Sequence, residues 1–116
     1  MTAYERGDVI EASDPFTERN PSRPFLIVNS TAHPFSPEQY VALTLTTKTW
    51  HSETLPLPAD AFIEGSVPDQ SFIVPWGVVS PAHDDIDDWF GRVEQETVDR
   101  AVDQLYNYLT ESGTHD

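Results

Sequence analysis

An arginine and a proline, Arg23-Pro24, stand directly before the hydrophobic run PFLIVNS, in a chain with only six basic residues. Two threonines and a lysine (Thr46, Thr47 and Lys48) sit near the end of the alternating run QYVALTLTTKTW. An always-charged planar guanidinium and a hydroxyl are the groups that would hold a phosphate and the extra charge of its transition state. Taken alone, however, an arginine before a strand reads as a solvated edge residue. The general acid–base candidates are His33, His51, His83 and His115; each falls in a predicted loop or tail, and His51 lies a few residues past Thr46. The run HDDIDD at residues 83–88 offers oxygen ligands of the kind Mg²⁺ or Ca²⁺ uses, but its spacing fits no ligand loop and it reads as a solvated acidic turn. No glycine-rich phosphate loop, nucleophile elbow or zinc motif is present.

The elements that must position these groups are mostly strands. GDVIEA, residues 7–12, reads as the first, followed by the breaker-rich loop SDPFTERNPSR. PFLIVNS is a short continuous apolar run, the pattern of a strand buried on both faces. In the next run Val41, Leu43 and Leu45 share one face while Ala42, Thr44 and Thr46 share the other. SETLPLP reads as a short edge strand, AFIEGSVPDQ as a segment turning at Glu64-Gly65, and SFIVPWGVVS as a strand in which Pro75 marks a bulge or an edge. From Glu94 the period changes: Val98, Ala101, Val102, Leu105 and Leu109 form one helical stripe. Trp50, Trp76 and Trp89 read as core or interface packing. The expectation is a mainly β domain with a C-terminal helix, a small, strongly curved sheet or barrel. It is a single domain over residues 1–116, with a core at about 6–109 and a frayed tail at 110–116.

Composition narrows the function classes. Asp and Glu total 20 against 6 Lys and Arg, giving a net charge of −14, and the acids are spread along the chain among Trp, Phe, Ile and Val. An acid-coated, lysine-poor globule suits molar salt, where the Debye length falls to ~3 Å and self-repulsion is screened. The same charge argues against nucleic-acid binding through a basic patch. Cysteine is absent, and no signal peptide or apolar run of membrane-spanning length is seen. The chain reads as a soluble cytoplasmic protein of halophilic type with no membrane contact.

The order RGDVIEA, a loop of about a dozen residues, RPFLIVNS, VALTLTTKTW, SFIVPWGVVSP and GRVEQETVDRAVDQLYNYL resembles the MazF/PemK toxin family over roughly residues 6–109. In that family an R-G-D strand leads through a variable loop to an R-P strand, and a later strand ends in a threonine, often a Thr-Thr pair. The resemblance implies an SH3-like barrel of the MazF/PemK/CcdB type, acting as a homodimeric toxin with a cognate antitoxin as its partner. It implies sequence-specific cleavage of single-stranded RNA without a metal or other cofactor. A ribose 2′-hydroxyl attacks the adjacent phosphate, leaving a 2′,3′-cyclic phosphate and a 5′-hydroxyl.

By that resemblance Arg23 and Thr46 are the catalytic residues. Thr47 belongs to the threonine pair, Lys48 stands where members carry glutamine or serine, and Glu18 matches an acid of the family's first loop. Arg19 and Lys48 offer short-range phosphate contacts, and Phe16 and Trp76 offer faces for bases. The first loop and Pro75-Trp76 depart from the family pattern, departures that imply either an altered RNA specificity or lost catalysis. The rival expectation is a non-catalytic member of the same barrel that binds DNA, gyrase or an antitoxin.

Overall fold

A computed structural model of the chain describes residues 3–13, 22–34, 37–48 and 52–110. Within them seven strands form one curled antiparallel sheet: β1 (Asp8–Ser13), β2 (Ser22–Ile27), β3 (Ala42–Thr46), β4 (Leu55–Leu57), β5 (Phe62–Gly65), β6 (Ser71–Val79) and β7 (Ile86–Val93). Their order across the sheet is β4-β6-β3-β2-β1-β7-β5. Helix α1 (Gln95–Leu109) closes one face.

The sheet has a core on each side, and β2 lies at its centre. Leu26 and Val28 join Val9, Leu43, Leu45, Ile73, Val93 and the helical Val98 and Ala101 on the inner side. Phe25 and Ile27 join Ile10, Ala12, Tyr40, Ala42 and Val79 on the outer side. This is why PFLIVNS has no polar alternation: both of its faces leave water. The β3 alternation is also as expected, with Leu43 and Leu45 on the inner side and Ala42 on the outer.

The R-G-D string holds the fold together. Gly7 has φ +103°, in the left-handed region, and a Cβ there would stand 3.0 Å from the Val93 carbonyl oxygen. Its N–H donates to Ile27 O at 2.8 Å, and Val93 N–H donates to its carbonyl at 2.9 Å. Arg6 reaches Val28 O, Gln95 and Asp99, tying the entry of β1 to the first turns of α1. Asp8, buried, accepts from Arg92 Nε at 2.9 Å, Trp89 Nε1 at 3.2 Å and the Glu5 N–H at 2.7 Å. That hydrogen bond, and then the charge of Asp8, raises the pKa of the Arg92 guanidinium above its ordinary value.

Three expectations are corrected. Glu64-Gly65 is not a turn: both residues belong to β5, and the chain bends beyond them at Pro68 and Asp69. Gly65 is needed for close approach, because a Cβ there would lie 2.1 Å from the Phe90 carbonyl oxygen. HDDIDD is a turn only at His83–Asp85; β7 then begins at Ile86, with Asp87 and Asp88 exposed on it. Leu109, placed in the helical stripe, is 73% exposed, because burial along α1 weakens after Leu105. Pro75 does mark a bulge: Leu43 pairs Val78 while Thr44 pairs Val74, so Pro75, Trp76 and Gly77 loop out of the β3–β6 ladder. Both sheet edges are blunted against further pairing, β4 by its length and Pro56, β5 by an irregularity at Ile63.

Candidate active site

The β2–β3 ladder runs Ile27↔Ala42, Leu26↔Leu43, Phe25↔Thr44 and stops there. Pro24, with no N–H to offer, comes next on β2. Beyond it Arg23 is joined to β3 by its side chain, Nη2 donating to the Leu45 carbonyl at 2.8 Å. The opening between these strand ends forms one wall of a cavity of about 390 Å³. Its lining combines Glu11, Ser22, Arg23 and Pro24 with Leu45, Thr46, Thr47 and Lys48, and with Val67, Pro68, Asp69, Ser71 and Phe90.

Residues from five segments therefore converge. β1 brings Glu11, and β7 brings Phe90, an extra residue opposite the β1 pairs Val9↔Gly91 and Ile10↔Trp89. The segment entering β6 is shaped by buried Ser71, whose hydroxyl donates to the Asp69 carbonyl at 3.0 Å. The Thr46 hydroxyl accepts the Lys48 backbone N–H at 3.1 Å. Among the described residues that hydroxyl donates to no protein group, so its hydrogen is not committed within the fold.

Of the predicted site residues, Arg23, Thr46, Thr47 and Lys48 share this cavity. Trp76 does not line it. It lies on the β6 bulge with its ring 5.9 Å from that of Tyr108, in an edge-to-face contact. Phe16, Glu18 and Arg19 lie outside the described residues, as do Trp50, His51 and His115. His83 is placed elsewhere: its Nδ1 is 2.7 Å from the hydroxyl of buried Tyr40, which also accepts the Tyr4 N–H at 3.1 Å. Burial pushes the Tyr40 phenol pKa up. His33 lies on the loop after β2. Among the described residues no three His, Asp or Glu side chains come together as a metal site.

A second cavity of about 390 Å³ opens on the outer face, lined by Ser13, Phe25, Val78, Val79, Ser80, Pro81 and Asp85. Size does not separate the two; chemistry does. Only the first carries cationic side chains, and only it has an arginine, a lysine and hydroxyls together. Glu11, Asp69 and Phe90 were missed by sequence reading. The signal that could have found Glu11 is an acid on the same strand face as the core residue Val9.

No family model matches the sequence, and no curated protein does. Solved structures do. A mycobacterial endoribonuclease in complex with its cognate antitoxin is 22% identical, with a TM-score of 0.70 over 94% of this chain and 95% of that one. A second mycobacterial endoribonuclease structure is 23% identical, with a TM-score of 0.70 over 94% and 93%. MazF from Deinococcus radiodurans is 12% identical, with a TM-score of 0.74 over 94% and 98%. A curled seven-stranded sheet closed by a C-terminal helix, aligned almost end to end with these structures, gives this chain the fold of the MazF toxins.

Proposed function

We propose that this chain is the toxin of a type II toxin–antitoxin pair, a metal-independent MazF/PemK-type endoribonuclease that cuts single-stranded RNA at particular sequences. The observation that carries the reading is the convergence of Arg23, Thr46, Thr47 and Lys48 in one cavity of a MazF fold. In this reading a phosphodiester sits against Arg23. The Leu45 carbonyl holds the guanidinium head in place, so the cation is set before the substrate arrives. Thr46 donates its hydroxyl hydrogen to a phosphate oxygen, and Lys48 adds a charge at the rim. The 2′-oxygen attacks phosphorus, the bond to O5′ breaks, and the two ends carry a 2′,3′-cyclic phosphate and a 5′-hydroxyl.

The partners that follow are a cognate antitoxin and a second copy of the chain, and the compartment is the cytoplasm. Phe16, Glu18, Arg19 and Trp76 would contact flanking nucleotides. The acid-coated surface fits a cell of high internal salt. The deciding experiment incubates purified protein with a long single-stranded transcript in molar KCl and EDTA, then maps the new ends. Cuts at a recurrent sequence with cyclic-phosphate and 5′-hydroxyl ends support the reading. Intact RNA across the whole KCl range overturns it and favours a non-catalytic binder.

A further inference from the structure

We propose that Glu11 is a further catalytic residue of this cavity, the general base that removes the proton from the attacking 2′-hydroxyl. The inference rests on the ribonuclease reading above, which left that proton without a destination.

Glu11 occupies a position where sheet geometry expects an apolar side chain. Along β1, Val9 packs in the inner core, and the residue two places on shares its face. That residue is Glu11, and the cavity's other lining on this side, Leu45, Val67 and Phe90, belongs to or packs on the same inner core. A half-buried carboxylate among these groups needs a reason. Among the described residues Glu11 has neither a hydrogen-bond nor an ion-pair partner, so the protein's own packing does not supply one.

The chemistry of the cavity supplies it. A carboxylate accepts hydrogen bonds and donates none, and it repels a phosphate. It is compatible with a phosphate site only if it meets a proton-bearing group of the same substrate. RNA has two such groups, the 2′-hydroxyl and the N–H groups of base edges. Glu11 pairs across the β1–β2 ladder with Pro24, and the neighbouring pair is Ala12↔Arg23. Adjacent rungs turn their side chains to opposite faces, so it is the shared cavity at the strand ends that brings Glu11 and Arg23 to one ligand, and the 2′-hydroxyl is the donor nearest its phosphate. The step balances. Glu11 takes the 2′-hydroxyl proton, the 2′-oxygen bonds to phosphorus, and the P–O5′ bond breaks. O5′ takes a proton from solvent, to which Glu11 later returns the one it holds.

The test is a set of pH–rate profiles for cleavage of one single-stranded transcript by the wild-type protein, Glu11→Gln and Glu11→Asp. An RNA with 2′-deoxyribose at the mapped cut measures binding without turnover. Glu11→Gln is expected to lose about 10²-fold or more in rate together with the acidic limb of the profile, while binding the deoxy-substituted RNA as the wild type does. Glu11→Asp should keep the limb at a reduced rate, and it decides the matter if the glutamine variant does not fold. An unchanged profile in Glu11→Gln overturns the inference. So does an altered cut sequence or weaker binding with the acidic limb intact, which would make Glu11 a base-reading residue. Wild-type protein that cuts alongside an equally active Glu11→Gln sinks this inference alone; wild-type protein that never cuts sinks the ribonuclease reading with it.

Discussion

Arg23 Nη2 and the Leu45 carbonyl meet at 2.8 Å, one side chain spanning two strands whose backbone ladder has already ended at Phe25↔Thr44. A group that closes a gap in a sheet is also the group aimed into the cavity the gap leaves. Arg23→Ala should therefore lower cleavage by ~10²-fold or more, since one oriented charge contact to a transition state is worth that much. Arg23→Lys should restore little, because an ammonium cannot present a planar fork to a carbonyl and a phosphate together. Initial rates, with circular dichroism to show that the fold persists, check both; wild-type rates in Arg23→Ala would remove the residue from the mechanism.

Thr44 and Thr46 lie on the same face of β3 yet should respond differently. Thr44 Oγ1 donates to the Gly77 carbonyl at 2.8 Å and holds the bulge, so Thr44→Val should cost about 1 kcal/mol of stability and leave the rate of the folded protein nearly unchanged. Thr46→Val should do the reverse, slowing cleavage with little change in melting temperature. Paired rate and melting measurements separate them, and equal rate losses would count against a role for the Thr46 hydroxyl.

Salt should act in the unusual direction. Single-strand binding through many phosphate contacts weakens with a log–log slope of about −0.7 per neutralised phosphate, but a chain with 6 basic and 20 acidic residues has little such term to lose. Screening instead removes repulsion among its own acids and between them and RNA. Cleavage and thermal stability are both expected to rise from low to molar KCl. A monotonic fall in cleavage with unchanged folding is the contrary result.

Tyr40 should mark the alkaline end of the stability profile. Its phenol pKa is raised by burial, so above the ordinary phenol value near ~10 the folded state keeps a proton that the unfolded chain loses. The folded state then binds more protons, and stability must fall as pH rises through that window. Tyr40→Phe gives up the contacts to His83 and the Tyr4 N–H, and should cost about 1–2 kcal/mol at pH 8 while flattening the decline above pH ~10. Thermal melts across that range measure it; an equally steep decline in the variant would assign the loss to other groups.

The legible parts of this chain are those in which a local pattern and a tertiary role coincide. The alternation from Val41 to Thr46, the two-sided apolar run around Leu26 and the stripe from Val98 to Leu105 were readable because burial alone decides them. β5 and β7 were not. Gly65 looks like a turn residue but serves the close approach of two backbones, and the aspartates before Trp89 hide a strand whose exposed face is acidic. At the site, Arg23 and Thr46–Lys48 stood out by family likeness. Glu11, Asp69 and Phe90 carry no local mark, since a cavity at a strand end draws its walls from segments far apart in the chain.

The position of β1 between β2 and β7 has a consequence for how the protein comes into being. Arg6 and Gly7 are bonded to residues 93–99, and the inner core is incomplete without Val93, Val98 and Ala101. A nascent chain emerging from the ribosome up to Val79 has no partner for one edge of its first strand and no cover for Val9, Leu43 and Leu45. Such a chain should remain open to protease, and protection should arrive only once α1 has left the exit tunnel. Phe90, a wall of the cavity, arrives with that same closing segment. The cavity is therefore assembled only after the residues that line it have been translated, so a ribosome stalled before Phe90 carries an incomplete one.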